Sequence, residues 1–189
     1  MIPPRLATAP SLTTARLVLD AVDPADTSAI FEYCNDPALQ QYVPVPVPYT
    51  QAAAASYTQG YAPKAPWLWA IRFDKNSALV GVIELKPREL RSAEMGFWLG
   101  LPHRGRGIMT EAAVAIIDFG FSTEGAALTH IDWCAVVGNI GSATVAQRVG
   151  MSYEGMRRQS LAHRDHRRDA WFASILSTDV RTPQAGWPL

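Results

Sequence analysis

The most informative stretch of this chain is His103-Arg-Gly-Arg-Gly-Ile-Met-Thr-Glu-Ala112. It sets two glycines and two arginines directly before an amphipathic pattern, which predicts a tight turn into a helix over residues 107–121. Such a turn gathers backbone N–H groups at the positive end of a helix, and glycine lets a phosphate approach them closely. The residues therefore indicate either an anion-binding loop or a glycine turn that binds nothing.

Two familiar phosphate loops do not fit this turn. A Walker loop requires Gly-Lys-Ser/Thr after the glycines, and the chain has none there. A Rossmann fingerprint requires a third glycine at the place of Thr110. Both motifs are excluded, and the choice among other anion-binding loops depends on the surrounding pattern.

Outward from the loop, apolar runs bounded by turn residues predict strands on both sides of it. The predicted strands are residues 16–22, 66–73, 78–86, 92–99, 128–137, 151–159 and 169–176. The predicted helices are residues 23–35, 50–59, 107–121 and 141–148. The three middle strands form an antiparallel meander, and the helix that starts at Gly107 joins two neighbouring strands in parallel. We predict an α+β fold with a mixed, mostly antiparallel sheet of six to seven strands flanked by helices.

The ends of the chain differ from its middle. Residues 1–11 are rich in proline and lack periodicity, and residues 181–189 again contain proline and glycine. We expect a flexible tail at each of these ends and a single domain over residues 12–180. Trp187 of the second tail could still dock on the body.

Composition excludes several classes of protein. The 189 residues are 48% hydrophobic and carry 17 basic and 17 acidic side chains, so a disordered chain is excluded and broad binding to nucleic acid is disfavoured. Cys34 and Cys134 are too few for a disulfide scaffold, and no cysteine or histidine cluster indicates a metal. No apolar run approaches the length of about 18 residues that suggests a membrane span. We expect a cytoplasmic protein that needs neither metal nor membrane.

A series of motifs in a fixed order resembles the GCN5-related N-acetyltransferases, the GNAT superfamily. They are Leu12-Thr-Thr-Ala-Arg-Leu-Val-Leu19, Ala93-Glu-Met-Gly-Phe-Trp-Leu99, the glycine turn with its helix, Asn139-Ile-Gly-Ser142 and Val149-Gly-Met-Ser-Tyr-Glu-Gly155. The resemblance covers residues 12–178 and is greatest to the RimJ/RimL-type branch, which acetylates the N-termini of ribosomal proteins. It implies a GNAT-like acyl-CoA N-acyltransferase fold with acetyl-CoA as co-substrate.

The resemblance also implies where acetyl-CoA binds. Arg104 and Gly107 fill the family's phosphate-loop pattern, whereas Met109 stands where glycine or alanine is usual. The residues implied to hold the pyrophosphate are Arg104, Gly105, Arg106, Gly107, Ile108, Met109 and Thr110. The edge formed by Trp98, Leu99 and Gly100 would bind the pantetheine arm, and Asn139 would contact its amide region. The strand that carries this edge is expected to splay from strand 128–137 and open a slot for the thioester.

Two glutamates are candidates for the general base that must deprotonate an amine before it attacks a thioester. The resemblance points to Glu94, whereas Glu84 stands out as an acid within the apolar run Val82-Ile-Glu-Leu85. An acid in such a place faces either solvent or a cleft. Ser142 would assist the departing sulfur, because residues 145–148 lack the tyrosine that many family members use. Water could do the same, and a serine near the start of a helix can also be a cap.

The acceptor amine is not identified by the sequence, and a peptide N-terminus and a small molecule are both compatible. We expect the acceptor site near the first two helices, with residues 43–49 as a stiff wall. Aromatic candidates for this site are Tyr33, Tyr42, Tyr49, Trp67 and Trp69. The basic arm 157–168 could be solvated or could bind an acidic substrate, a CoA phosphate or RNA. An acyl-CoA-sensing module is the alternative function, and a homodimer, common in the family, is possible.

Overall fold

An eight-stranded sheet forms the frame of the molecule in the computed structural model, which describes residues 8–189. The strands are β1 (Leu12–Thr13), β2 (Val18–Asp20), β3 (Leu68–Arg72), β4 (Gly81–Pro87), β5 (Ser92–Leu99), β6 (His130–Val136), β7 (Ser152–His163) and β8 (His166–Leu176). They lie in the order β1-β2-β3-β4-β5-β6-β8-β7. All neighbours are antiparallel except β5 and β6, which are parallel. The predicted α+β class and mostly antiparallel sheet are confirmed.

The strand count is higher than the predicted six to seven because of β1. This two-residue strand is too short to show a pattern in the sequence, yet it pairs with β2 through Leu12 with Leu19 and Thr13 with Val18. The indole N–H of Trp69 also donates a hydrogen bond of 2.7 Å to the carbonyl of Pro10. Residues 10–13 therefore lie on the sheet, while residues 1–7 of the predicted tail lie outside the described part of the chain.

Helices cover both faces of the sheet. They are α1 (Thr27–Cys34), α2 (Pro37–Gln40), α3 (Gln51–Ser56), α4 (Ile108–Phe121) and α5 (Ile140–Arg148). The predicted helix 23–35 begins as a 3₁₀ turn at Pro24–Asp26, where the side chain of Asp23 accepts a hydrogen bond from the Ala25 N–H. The predicted helix 50–59 is α-helical only as far as Ser56, and it continues past its predicted end as a π-helical segment, Tyr57–Tyr61. The short α2 was not predicted.

The main core lies between the sheet and α4. Phe119 of α4 packs edge-on against Trp67 and Trp69, with ring centroids 6.1 and 5.3 Å apart. A second cluster lies under α1 and α3 on the opposite face. Because both faces are covered, β3 is buried along its whole length. No helix within residues 8–189 is long and apolar enough to cross a membrane.

The last hairpin forms one edge of the sheet, and the C-terminal segment packs against the same part of the molecule. β7 and β8 pair from Ser152 with Ser174 as far as His163 with His166, so the arm 157–168 is a continuation of the sheet. Trp187 is buried, and its ring lies 5.6 Å from that of Trp133 and 5.5 Å from that of Tyr153. The C-terminal segment thus returns to the body and packs on it.

Candidate active site

The strands β5 and β6 separate part of the way along their length. Their parallel pairing runs from Ser92 with His130 to Met95 with Trp133, but β5 continues to Leu99 and β6 to Val136. Unpaired strand edges leave N–H and C=O groups that need a partner. The gap beyond Met95 is the splay that the resemblance implied, and it creates a place for an extended ligand to add to the edge of β5.

Alternation along β5 decides which backbone groups face the gap. The Gly100 N–H donates to the Val80 carbonyl, 2.9 Å away on the β4 side. Successive residues of a strand point their backbone groups to opposite sides, so the groups of Phe97 and Leu99 face the gap. The Leu99 carbonyl accepts a hydrogen bond of 2.9 Å from Nε of Arg104. Within the predicted edge at Trp98, Leu99 and Gly100, the backbone groups of Leu99 face the gap, as do those of Phe97 two residues earlier. The N–H of Gly100 faces the other way and already has a partner.

The glycine turn has the backbone of an anion-binding loop. Gly105 and Gly107 have φ angles of +72° and +74°, which favour glycine. The helix α4 begins at once, and the N–H groups of its first turn have no acceptor inside the helix. Met109, which departs from the family pattern, buries its side chain in the core. Its N–H therefore stays at the helix start beside those of Ile108 and Thr110.

Contacts from the start of the chain hold this loop in place. Glu111 accepts hydrogen bonds of 2.6 Å each from the Thr14 hydroxyl and from Nε of Arg16. Although partial burial opposes it, these hydrogen bonds hold the pKa of Glu111 below its usual range. Arg16 also donates to the carbonyl of Arg106 at 3.2 Å. The loop is thus tied to the β1–β2 turn.

A groove of about 340 Å³ runs along the loop and the gap. It brings together these predicted cofactor residues: Trp98, Leu99, Arg104, Gly105, Gly107, Ile108, Met109, Thr110, Asn139 and Ser142. Two predicted residues lie outside its lining. The guanidinium of Arg106 lies 5.9 Å from the ring of Phe73, and Gly100 lets the Tyr33 ring pack closely, since a Cβ there would lie 2.6 Å from it.

A second cavity of about 720 Å³ lies next to this groove, and we call it the acceptor cavity. The residues that line both spaces are Tyr42, Val43, Phe97, Trp98, Asn139 and Ser142. The residues Pro44, Val45, Pro46, Glu84 and Glu94 line the acceptor cavity but not the groove. A molecule in the groove and a molecule in the cavity would therefore meet at one shared wall, beside the gap between β5 and β6.

Glu84 is the more deeply buried of the two predicted bases. Its carboxylate oxygens lie 2.7 and 2.9 Å from the hydroxyl of Tyr61, which donates to them. Burial raises the pKa of Glu84, Glu94 raises it further, and the hydrogen bond from Tyr61 and the charge of Lys86 oppose the rise. A carboxylate with a raised pKa is better matched to accepting a proton near neutral pH than an ordinary one.

Glu94 lies in the same cavity but is differently paired. Its carboxylate lies 2.6 Å from the guanidinium of Arg88, and the pair is partly exposed. The antiparallel register of β4 and β5 sets Glu84 opposite Gly96 and Lys86 opposite Glu94. Residues two apart on a strand share a face, so this register brings both glutamates to the acceptor side of the sheet.

Asn139 and Ser142 lie at the start of α5, on the shared wall. Asn139 accepts a hydrogen bond of 3.3 Å from the Ser142 N–H and thereby caps the helix. The indole N–H of Trp133 donates to the hydroxyl oxygen of Ser142 at 3.1 Å. Because the oxygen accepts this bond, the hydroxyl proton stays free to be donated elsewhere.

Tyr42, one of the predicted aromatic residues, reaches the shared wall just after α2, and its hydroxyl donates to the carbonyl of Gly138 at 3.0 Å. Tyr57, Tyr61 and Leu161 line the acceptor cavity as well, and these three were not found from the sequence. No local signal marks these residues, because their positions depend on packing between distant segments.

Of the aromatic residues predicted for the acceptor site, the structure brings two into it. Tyr42 and Tyr49 line the cavity. Trp67 and Trp69 lie in the core under α4, where they are almost fully buried. The ring of Tyr33 packs beside Gly100 instead.

Several arginines of the basic arm 157–168 make contacts within the fold. Arg164 donates to the carbonyls of Gln40 and of Val45, the latter at 3.1 Å, and so clamps the hairpin tip onto the proline-rich segment. The guanidinium of Arg157 lies 4.5 Å from the ring of Phe172. Arg167 donates to the carbonyls of Gln159 and Ser160. These arginines are used within the fold, which weakens the hypothesis that the arm binds RNA.

Acidic, cysteine and histidine side chains do not converge on a metal position in the part of the chain that the structure describes. Cys34 and Cys134 are both free thiols, and burial raises their pKa values to about 12 and about 11. Neither is a thiolate near neutral pH, so neither is suited to act as a nucleophile.

Comparison with known proteins agrees with this geometry. Residues 16–152 match the family described as acetyltransferase (GNAT) domain. YdaF of Bacillus subtilis (strain 168), provisionally named a ribosomal N-acetyltransferase, is 32% identical over 106 residues. That match covers 55% of this chain and 57% of YdaF, little more than half of the relative's length.

Two solved structures share the fold. An acetyltransferase (GNAT family) from Bacillus anthracis has a TM-score of 0.81 at 22% identity and covers 90% of this chain and 100% of that one. RimL, the ribosomal L7/L12 alpha-N-protein acetyltransferase in complex with coenzyme A, has a TM-score of 0.76 at 22% identity, with coverage of 88% and 98%. The family match extends from β2 to the start of β7 and includes the glycine turn. This chain therefore belongs to the acetyltransferase (GNAT) domain family.

Proposed function

We propose that this protein transfers the acetyl group of acetyl-CoA directly to a primary amine while both substrates are bound. The observation that carries the proposal is the shared wall, where the cofactor groove and the acceptor cavity meet at Trp98, Asn139 and Ser142. Direct transfer needs two substrates to enter from opposite sides and touch at one point. The residues 12–180 would act as one domain in this reaction.

The groove offers contacts for each part of acetyl-CoA. The N–H groups from Gly105 to Thr110, together with Arg104, would hold the pyrophosphate at the start of α4. The backbone groups of Phe97 and Leu99 would bind the pantetheine arm as an added strand. A backbone N–H that faces the gap would polarise the acetyl carbonyl and stabilise the oxyanion.

Glu84 is the general base that the structure favours, with Glu94 as the second candidate. The acceptor ammonium gives up a proton through the base, and its nitrogen then attacks the acetyl carbon. A C–N bond forms and the C–S bond breaks, so the sulfur leaves as a thiolate. The hydroxyl of Ser142 would supply a proton to that thiolate and be reprotonated by water, and the amide loses its remaining extra proton to solvent.

The cellular location, the oligomeric state and the class of acceptor are also part of the proposal. Free thiols such as Cys34 persist in a reducing compartment, which supports a cytoplasmic location. A homodimer remains part of the proposal, as the family resemblance suggests. A peptide N-terminus and a small-molecule amine are both acceptors that the cavity could admit.

Calorimetric titration with acetyl-CoA and a thiol-release assay with a panel of amines test the proposal together. We expect binding of acetyl-CoA and release of one free CoA thiol for each amide formed. Absence of binding would reject the proposed cofactor. Binding without thiol release on any amine would instead favour an acyl-CoA-sensing module, the alternative that Met109 and the missing tyrosine of α5 suggested.

A further inference from the structure

The acceptor cavity has a composition that narrows the chemistry of the amine. We propose that the acceptor is a primary amine on a bulky, uncharged, apolar group, which sits with its amine above Gly96 beside Glu84. This inference rests on the proposed acetyl transfer, since it concerns the second substrate of that reaction.

The walls of the cavity are largely aromatic and aliphatic. Its lining includes the side chains of Tyr49, Tyr57, Val45, Pro46 and Leu161. The cavity volume of about 720 Å³ falls in the range of roughly 300–1,000 Å³ that suits drug-sized ligands. Such walls gain free energy from burying an apolar group and little from a small polar one. A ring or a branched aliphatic group therefore fits this space better than a hydrogen atom or a short polar side chain.

The charged side chains of the cavity favour an acceptor amine that has no carboxylate next to it. Among residues 8–189, the charged side chains that line the cavity are Glu84, Lys86 and Glu94. The ammonium of Lys86 lies 3.9 Å from Glu84, and the guanidinium of Arg88 lies 2.6 Å from Glu94, so each of these cations is already paired with an acid. A carboxylate next to the amine, as in a free amino acid, would have to compete with these acids for their cations and would be repelled by the acids themselves. An amide, a peptide bond or a plain hydrocarbon in that position would not.

Gly96 provides the space for the amine-bearing end. It is paired with Glu84 across β4 and β5, so the two residues share a face. A Cβ at Gly96 would meet no heavy atom of residues 8–189 within 4 Å, and its φ lies outside the range that requires glycine. The backbone therefore does not need a glycine there. The missing side chain instead leaves open volume directly beside the buried carboxylate.

The walls around this volume are held in place before any substrate arrives. Arg164 donates to the carbonyl of Val45 at 3.1 Å, and the side chain of Asn35 donates to the carbonyl of Tyr49 at 2.9 Å. The rings of Tyr57 and Tyr61 stack with centroids 5.4 Å apart. A preformed apolar site loses little entropy on binding, so shape and polarity of the acceptor should be strongly discriminated.

The test compares kcat/KM for four amines in the thiol-release assay with the full chain. They are L-phenylalaninamide, glycinamide, free L-phenylalanine and phenethylamine. We expect L-phenylalaninamide to exceed both glycinamide and free L-phenylalanine by about tenfold or more. The ratio of kcat/KM for phenethylamine and L-phenylalaninamide then distinguishes two kinds of acceptor. A small hydrophobic amine resembles the first compound, and a peptide N-terminus with an apolar first residue resembles the second.

The outcomes separate this inference from the proposed function. Thiol release with a preference for glycinamide or for free L-phenylalanine overturns the inference and leaves acetyl transfer to amines intact. Release with none of the four amines, while acetyl-CoA still binds, overturns the inference and counts against the proposed function as well.

Two variants test the site itself. Gly96→Val fills the space beside Glu84, and we expect it to lower kcat/KM for L-phenylalaninamide by about tenfold or more while acetyl-CoA binding persists. Leu161→Ala removes part of the wall, and we expect the preference for L-phenylalaninamide over glycinamide to fall by about tenfold. Leu176→Ala, an exposed leucine outside the cavity, is the matched control. A Leu161→Ala preference equal to that of the control would contradict the proposed seating of the apolar group.

Discussion

The hydroxyl of Tyr61 lies 2.7 Å from one carboxylate oxygen of Glu84 and 2.9 Å from the other. A side chain from the π-helical turn thus holds the carboxylate of a strand residue that lies 23 positions later. The same contact and burial raise the pKa of Tyr61, so its proton stays on the phenol and remains available to Glu84. The geometry of the proposed base therefore depends on a helical turn that extends beyond the end predicted from the sequence, at residue 59.

Glu84→Gln should abolish most of the activity. The amide is nearly isosteric but does not accept a proton, and a positioned general base typically contributes about 10²- to 10⁴-fold. We expect kcat to fall by at least about 10²-fold while calorimetry still detects acetyl-CoA binding. Glu94→Gln is the matched comparison. If Glu94→Gln loses activity and Glu84→Gln does not, the roles of the two glutamates are exchanged.

Tyr61→Phe should shift the pH profile of kcat/KM. The hydrogen bond from Tyr61 lowers the pKa of Glu84, so its loss leaves that pKa higher than in the wild type. A base works only when it is deprotonated, and activity is lost as the pH falls through its pKa. The acidic limb of the profile should therefore move to higher pH. An unmoved limb would mean that Glu84 is not the group that titrates.

Gly107→Ala should weaken acetyl-CoA binding. The φ of +74° at Gly107 is unfavourable for alanine by about 1 kcal/mol, so the loop should relax away from the geometry that gathers its N–H groups. We expect the Kd for acetyl-CoA to rise by about tenfold or more. The control is Gly60→Ala, which lies in the π-helical turn where a Cβ has ordinary contacts. Equal affinities of the two variants would exclude the turn as the phosphate site.

Trp187→Ala should destabilise the fold, although the residue lies in a segment that the sequence marks as a tail. Its buried ring packs between Trp133 and Tyr153, and truncation of a buried tryptophan costs about 3 kcal/mol or more. Urea unfolding measures the difference, with the exposed Val180→Ala as control. A variant as stable as the control would indicate that the segment is detached in solution.

His163 should make stability depend on pH. Burial lowers the pKa of His163, and the nearby charges of Arg164 and Arg168 lower it further. Since the unfolded chain binds the proton more tightly, this contribution is fully present above the unfolded pKa of about 6.5 and is lost as the pH falls below it. Replacing His163 with glutamine should reduce the decrease in Tm between about pH 7.5 and pH 5.5. An unchanged pH dependence would show that other groups are responsible.

The loop and its helix could be predicted from the sequence because their determinants are local. Positive φ angles at Gly105 and Gly107 are a property of glycine itself, and the apolar spacing from Ile108 onward is that of a helix. The meander could be predicted as well, since turn residues separate its strands. The two-residue strand β1 could not be predicted, because a pattern of that length has no period.

The site was predicted in its parts but not in its arrangement. Glu84 and Glu94 could be named, yet only the pairing register of β4 and β5 sets them in one cavity. Tyr61 and Leu161 could not be found, because each reaches the cavity from a segment far away in the chain. Contacts of this kind depend on how whole elements pack, and no residue's own neighbours in sequence encode them.

The family, the glycine turn and most of the strands and helices follow from the sequence alone, because glycine conformation and apolar periodicity act over a few residues. Where the strands part, which acid is buried beside Tyr61, and how Arg164 clamps the arm over the proline-rich segment depend instead on tertiary packing. Those features arise from contacts between distant segments, whose free energies exist only once the whole sheet has formed.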